Sequence, residues 1–397
     1  MTVFLDFVGF GIILPVLPFF GEKFGATPSQ VAMLFAVYSM FQFFSGPIWG
    51  RLSDSFGRRP VLLATLAGAA VAYVVFGLSD SLFWLFAARG LSGLMAGNIG
   101  VAHAIVADLT SPRERAHNMA LLGAAISLGF VAGPLLGSVL VGNDPANIDH
   151  SMPAFAAAAL SGGAFLVGLI SFRESLPLHD RRQEKGGLWA ERRDTLTRLS
   201  RQKNLLALIL SMAILSYVVS QITAIFSLWS EAVYQWGPRQ ISYTYAVIGI
   251  VLAIVQGGIV GRLSRWIGET RMLIVGSLVQ IGGLVMVVLA NSAIGAAAAV
   301  TLAFAGSSLC TPVVTSLISQ RTPADRQGSV LGIANAGASL GRIVGPPLGG
   351  FVYQYGNADW PFPLAAMVVF FITLLGFRMT FDKQHQAAPT VEKEEGE

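Results

Sequence analysis

Charge is what this sequence has least of. Only 12% of its 397 residues are Asp, Glu, Lys or Arg, against 54% hydrophobic residues and a mean hydropathy of +0.64. A soluble domain carries about 25% charged residues, so the composition excludes one and requires a polytopic membrane protein. Cysteine is nearly absent too. Cys310 stands alone in an apolar run, which excludes a disulfide framework or a thiolate metal cluster and says nothing of redox compartment. The chain also lacks a Ser-His-Asp grouping, metal-ligand spacing or a phosphate loop, so neither catalysis nor a cofactor nor a bound metal is expected. The net charge of +4 does not point to nucleic acid, because the basic residues fall in short loops between hydrophobic runs.

What the sequence has in quantity is long apolar runs. They fall near 3–20, 31–49, 61–79, 82–107, 118–142, 152–172, 205–228, 241–261, 272–290, 293–318, 329–353 and 361–379, twelve in all. Each is about long enough to cross a bilayer. Lipid offers no partner to an unpaired amide and barrel strands are shorter, so all are read as helices, giving an all-α membrane protein. All but four of the 26 Lys and Arg residues occupy alternate loops and the C-terminal end. Lys23 and Arg239 lie in the other set of loops, and Arg89 and Arg342 lie inside spans. The positive-inside bias then places both termini and the 173–203 loop in the cytoplasm. No basic stretch and small-residue cleavage site mark a removable signal peptide, although the abrupt apolar start suggests that a short leading segment is missing.

The 173–203 loop divides the chain into a 1–172 bundle and a 204–379 bundle, with a polar tail at 380–397 expected to be disordered. Within the loop, Leu188, Trp189, Leu196 and Leu199 alternate with Arg192, Arg193, Arg198 and Arg201, a pattern that fits either a surface-lying amphipathic helix or a solvated linker. The two bundles resemble each other. Gly50-Arg51-Leu52-Ser53 and Gly57 recur as Gly261-Arg262-Leu263-Ser264 and Gly268 at an offset of 211, as do Pro112 and Arg115 as Pro323 and Arg326. Gly129, Gly133, Pro134 and Gly137 recur as Gly341, Gly345, Pro346 and Gly349 at 212. A duplication of six helices is the plan of a rocking transporter with its site between the halves.

Certain residues stand out against the oil. Gly50, Asp54, Gly57, Arg58 and Arg59 pack charge and glycine into a turn between two spans, and read either as a conformational latch or as a topology anchor. Asp6 is the only carboxylate in the apolar part of the first run. Such a group can take up and release a proton as access to it changes, or sit at the interface if the helix begins at Met1. Arg89 needs a partner or water in mid-helix, where an ionised side chain costs at least a few kcal/mol. On a helical wheel Gly93, Ala96, Gly100 and His103 share its face, which makes His103 a proton-relay candidate, although a histidine near a helix end is more often a satisfied interfacial residue. Gly129, Gly133, Pro134 and Gly137 remove bulk and one amide from the fifth helix, allowing a bend and a close crossing. Arg342 has no counterpart in the first repeat, where Phe130 stands. Tyr38, Gln42, Tyr217, Gln221, Gln256, Gln280 and Asn335 are polar groups in apolar spans, fit either for a substrate cavity or for helix-to-helix hydrogen bonds, and Phe41 and Phe226 suit an apolar pocket.

These residues carry a family likeness. The chain resembles the major facilitator superfamily over nearly its whole length, and within it the twelve-helix drug:proton antiporters, the N-terminal half being most similar to the tetracycline/proton group. The family's loop signature is met by Gly50, Asp54, Gly57, Arg58 and Arg59, although Ser55 replaces a common basic residue. Arg89, Gly93 and Gly97 match its fourth-helix signature, and Gly129, Gly133, Pro134 and Gly137 its antiporter signature. The resemblance implies proton coupling at Arg89, an antiporter element that restricts leakage, and a monomer that exchanges protons for small amphipathic organic molecules across a bacterial inner membrane. It departs at Ala72 and Gln280, where tetracycline antiporters carry acids, so tetracycline with its divalent metal is not carried over as the substrate. A metabolite uptake symporter and a non-transporting sensor on the same fold stay open.

Overall fold

The computed structural model describes residues 1–111, 114–141, 151–176, 202–323 and 326–387, and among them it contains helices and turns but no strand. The helices are α1 Thr2–Ile13, α2 Leu17–Lys23, α3 Pro28–Phe56, α4 Arg58–Gly77, α5 Leu82–Met95, α6 Asn98–Leu109, α7 Arg115–Leu140 and α8 Ser151–Ser171 in the first half. In the second half they are α9 Lys203–Tyr234, α10 Pro238–Ile254, α11 Val260–Ile267, α12 Glu269–Leu289, α13 Ala293–Gln320, α14 Gln327–Tyr355 and α15 Pro361–Ala387. Ten segments among the described residues are long and apolar enough to cross a bilayer, and the bent pair α1–α2 makes eleven. The twelfth, α14, has 29 residues and ample length, but it is too polar to qualify on hydropathy alone.

Three of the expected spans are broken rather than continuous, each for a local reason. Pro15 withdraws an amide and crowds the preceding turn, so α1 and α2 meet at 44°. The fourth span divides at Ala96 and Gly97, between α5 and α6. The eighth passes through a π-turn at Val255–Ile259, where Gly257 and Gly258 sit side by side. Starts follow capping chemistry. Thr27 Oγ1 accepts from Gln30 N at 3.4 Å and Gln30 Oε1 from Thr27 N at 2.8 Å, closing a capping box ahead of α3.

The duplication is visible in the backbone. Gly57 joins α3 to α4 with φ +110° and ψ 157°, and Gly268 joins α11 to α12 with φ +82° and ψ 155°. A single residue makes each turn, and glycine alone adopts that conformation without strain. In the first half α7 lies along α1, and in the second α14 lies along α9 in the same manner. The halves meet where α7 touches α10, with Gly249 beside Val131, and where α3 touches α14, with Gly350 beside Ala32.

The core is distributed unevenly along the membrane normal. One buried cluster draws on both halves, uniting Phe20, Val31 and Leu34 with Ile222, Trp229 and Phe362. Toward the end that bears the charged turns it separates into a second-half cluster around Leu208, Met272 and Leu317 and a first-half cluster around Leu62, Val101 and Ile105. At that end Gly46 and Gly50 of α3, Gly261 of α11, and Gly328 and Gly332 of α14 face open space. The molecule is therefore sealed at one end and divided at the other. The basic pattern at 188–201, residues 388–397 of the tail and the matched Pro112 lie outside the described residues; the start of the tail, expected to be disordered, is helical instead, because α15 runs on to Ala387.

Candidate functional site

The site is built on the seam between α1 and α7. A Cβ on Gly129 would lie 2.6 Å from Phe7 Cβ, and one on Gly137 would lie 3.0 Å from the Ile12 carbonyl. The glycine face of α7 thus acts as a seat for α1, the close packing that membrane helices use in place of a hydrophobic driving force. On its other side α1 meets α8 at Gly9, which lies against the Ala157 carbonyl. Held from both flanks, α1 turns Asp6 inward. Asn98 Nδ2 donates to Asp6 Oδ2 at 2.6 Å, and Ser161 Oγ donates to Asp6 Oδ1 at 3.2 Å. The carboxyl is half-buried in a small pocket that includes Tyr38, Tyr73 and Asn98. It does not face lipid headgroups, the arrangement that a start at Met1 left open.

Arg89 is among the largest buried side chains, 2% exposed. Its guanidinium lies 4.6 Å from the centre of the Tyr38 ring, and Nε donates to the Leu34 carbonyl at 3.3 Å. A desolvated cation over an aromatic face gains about 2 kcal/mol, which offsets part of the cost of burial. One donor, Nη2, has no hydrogen-bond partner. Gly93, one turn on, touches the Tyr38 carbonyl, and Gly90 packs on Phe41, so α5 is pressed onto α3 and the arginine is fixed against it. No ion pair joins Asp6 to Arg89 among the described residues; Tyr38 is the group that shares a pocket with the first and stacks with the second.

Extending the Arg89 face to Gly100 and His103 fails in the structure, because the helix breaks at Ala96 and Gly97 and its phase resets. His103 is exposed and its ring nitrogen Nδ1 lies 2.8 Å from the Ile99 carbonyl, away from Asp6, and Gly100 faces open space. The residue that the break delivers to the carboxylate is Asn98, which the sequence reading passed over. Its signal was a lone amide directly after a glycine in the span that already carries Arg89.

Between the halves lies a cavity of about 560 Å³, walled by α1, α3, α5, α6 and α7 on one side and α9, α13 and α14 on the other. Tyr38, Gln42, Arg89 and Arg342 line it, together with Phe7, Phe10, Phe35 and Phe130. The remaining polar candidates do not. Gln221 is buried and its Nε2 donates to the Pro361 carbonyl at 2.8 Å. Gln280 is fully buried where Gly306 meets its backbone, Tyr217 packs under Gly345, and Asn335 and Gln256 are exposed outside the wall, the last on the π-turn. Phe226 stacks on Trp229 inside the core. In their place α9 contributes Ser216, Ser220 and Thr223 to the wall, a helical i, i+4, i+7 stripe that could have been counted from the sequence.

The charged turn ties the first half together. Arg58 Nη1 donates to Asp54 and, at 2.7 Å, to Ser53 Oγ, while Nε reaches Asp108 Oδ2 at 3.1 Å. Glu174 accepts from the backbone amides of Arg58 and Arg59 at 2.8 and 3.2 Å, and Arg59 Nη2 donates to the Leu169 carbonyl at 2.8 Å. All of these partners belong to the first half except Glu174, which stands at the start of the 173–203 loop. In the second repeat the signs are exchanged, Arg265 and Glu269 standing where Asp54 and Arg58 do, and Glu269 accepts from Ser316 Oγ at 2.7 Å.

Comparison with known proteins agrees with this architecture. The family model described as Major Facilitator Superfamily matches residues 1–336 and 296–397. The class C tetracycline resistance protein of Escherichia coli is 30% identical over 363 residues, 90% of this chain and 89% of the relative. Multidrug resistance protein 2 of Bacillus subtilis is 29% identical over 398 residues, 98% of this chain and 95% of the relative. Among solved structures, a bacterial homolog of the human lysosomal transporter Spinster, inward-facing and unoccupied, aligns with a TM-score of 0.74 at 16% identity, covering 96% of this chain and 95% of its own. With matches that together run the length of the sequence, the chain belongs to the Major Facilitator Superfamily.

Proposed function

We propose that the protein is a proton-coupled antiporter that exports small amphipathic organic compounds, drugs or antibiotics among them, across a bacterial inner membrane. It works as a monomer by alternating access between the 1–172 and 204–379 halves, with both termini and the charged turns on the cytoplasmic side. That orientation makes the divided end the inner one, so the captured state is inward-facing. Drug-efflux relatives over about nine-tenths of the chain support the direction.

The observation that carries the coupling is the Asp6 carboxyl, donated to by Asn98 and Ser161 in a pocket that shares Phe7, Phe10, Tyr38 and Ile99 with the cavity between the halves. Its partners move with it as part of the first half, so what changes when the halves rock is the access of water to its pocket through the cavity, and with that its affinity for a proton. Arg89, fixed against Tyr38, is the fixed charge that the carboxyl answers to. The turn at Asp54, Arg58 and Arg59 holds the first half as one body while it moves.

The test is export in everted vesicles against a panel of amphipathic compounds, with and without a proton gradient. Asp6→Asn is expected to remove gradient-driven movement while the protein remains inserted and folded. Unchanged efflux in that variant places the proton elsewhere. Gradient-driven movement of a compound out of everted vesicles, rather than into them, identifies a symporter.

A further inference from the structure

The transport reading leaves open what kind of molecule the cavity takes, and the charges on its wall answer this. Two guanidinium groups line it, Arg89 from the first half and Arg342 from the second, and among the described lining residues there is no Asp or Glu. Neither arginine has a carboxylate partner among the described residues. Arg342 is half-buried and its Nη2 donates only within its own helix, to Ser339 Oγ at 2.8 Å. Arg89, 2% exposed, keeps Nη2 without any partner. Both line the one cavity together with Tyr38, over whose ring the Arg89 guanidinium lies. The nearest candidate to neutralise them, Asp6, is already bonded to Asn98 and Ser161 in a pocket of its own.

An unpaired buried donor on a buried cation is costly. A site that offers one such donor, on Arg89, and a second guanidinium without a carboxylate partner, on Arg342, repels a cationic molecule and rewards an anionic one. The rest of the wall selects the remainder of the ligand. Phe130 lies edge-on to Phe10 at 5.8 Å and tilted to Phe7 at 5.3 Å, and Phe10 lies 5.1 Å from Tyr38. This is an aromatic surface beside the two cations. A volume of about 560 Å³ fits a drug-sized molecule.

We infer that the transported substrate class is the amphipathic organic anion: an aromatic body against Phe10 and Phe130, and a carboxylate or sulfonate bridging Arg89 and Arg342. Because the two arginines belong to different halves, the anion itself is what they share. Arg342 is then the residue that sets charge preference, and its repeat-related position, Phe130, supplies the apolar half of the same site.

The probes are fluorescein, an anion, and rhodamine 6G, a cation on a related xanthene ring. Binding to the purified full-length protein is followed by fluorescence anisotropy, and flux is followed in proteoliposomes with and without a proton gradient. Fluorescein is expected to bind at least tenfold more tightly than rhodamine 6G. Arg342→Gln should weaken fluorescein at least tenfold, Arg342→Lys should restore part of that loss, and Arg342→Glu should reverse the preference, with a thermal melt confirming that each variant is folded. Equal or tighter binding of rhodamine 6G by the native protein overturns the inference, as does fluorescein binding indifferent to Arg342→Gln, or no binding of either dye. Gradient-driven movement of rhodamine 6G alone would overturn it while leaving proton-coupled transport intact. Fluorescein bound but never moved would uphold the anion site and defeat the transport reading instead.

Discussion

Gly11 and Gly133 touch backbone to backbone: a Cβ on Gly133 would lie 2.6 Å from Gly11 Cα and 2.7 Å from the Val8 carbonyl oxygen. No rotamer change relieves such a clash, since main chain faces main chain. Gly133→Ala should therefore push α1 off α7, costing about 1–3 kcal/mol as an overpacked core does. A lower unfolding temperature and lost export should appear together. Gly123, on the same helix but facing open space, is the control, and Gly123→Ala should change neither.

Asn98 offers a finer test of the proposed proton site than Asp6 itself. Its amide makes a 2.6 Å hydrogen bond to the carboxylate, and a bond to a charged group is worth about 1.5–3 kcal/mol. Asn98→Ala should slow gradient-driven export by roughly 10- to 100-fold by that conversion, with substrate binding in the absence of a gradient nearly unchanged. An equal loss in both assays would mean that Asn98 serves the cavity rather than the proton.

The charged turn is asymmetric between the repeats, and so should be its mutants. Arg58 gathers Asp54, Ser53 and Asp108, whereas in the second turn its place is taken by Glu269, and the nearby Arg262, the counterpart of Arg51, donates only to Gly258 at 3.3 Å. Each partly exposed contact is worth about 1 kcal/mol or less, but Arg58→Ala removes three at once. Transport is expected to fall about fivefold to tenfold in Arg58→Ala and less than twofold in Arg262→Ala, measured at equal amounts of inserted protein.

The sealed end closes on Gly350, which meets Ala32 Cβ at 2.6 Å from a notional Cβ, and on a hydrogen bond from Ser29 N to Gln354 Oε1 at 3.1 Å. Gly350→Leu should wedge α3 from α14 and shift the population toward the opposite state. Cys310 is buried and is the only cysteine in the sequence, so an added thiol reports without interference. With Gly46→Cys at the divided end, the wedge should slow maleimide labelling from the cytoplasmic side; labelling at the native rate would show that the seal is not set there.

Much of this architecture was legible because lipid leaves few options. Apolar length gave the spans, and the 211-residue offset of Gly57 and Gly268 gave the duplication that their shared positive φ displays. Asp6 and Arg89 stood out because a charge in oil needs a reason. What could not be read was which way each polar side chain points. A helix apolar on every side has almost no preferred face, so Gln221 and Gln280, which turn into helix contacts, looked the same as Gln42, which lines the cavity. The break at Ala96 and Gly97 reset the helical phase, which displaced His103 from where a continuous wheel put it, and Gln256 fell on the exposed π-turn.

The polarity of α14 bears on how the molecule is made. A segment that carries Gln327, Asn335, Ser339 and Arg342 gains little by entering lipid on its own, so it must be admitted late, when α9 and α3 already offer it protein walls. Biogenesis of the second half is thus obliged to be sequential. A nascent chain halted before Gln327 would leave α9 with its glycine-matching groove vacant, and quality-control proteases would meet it in that condition.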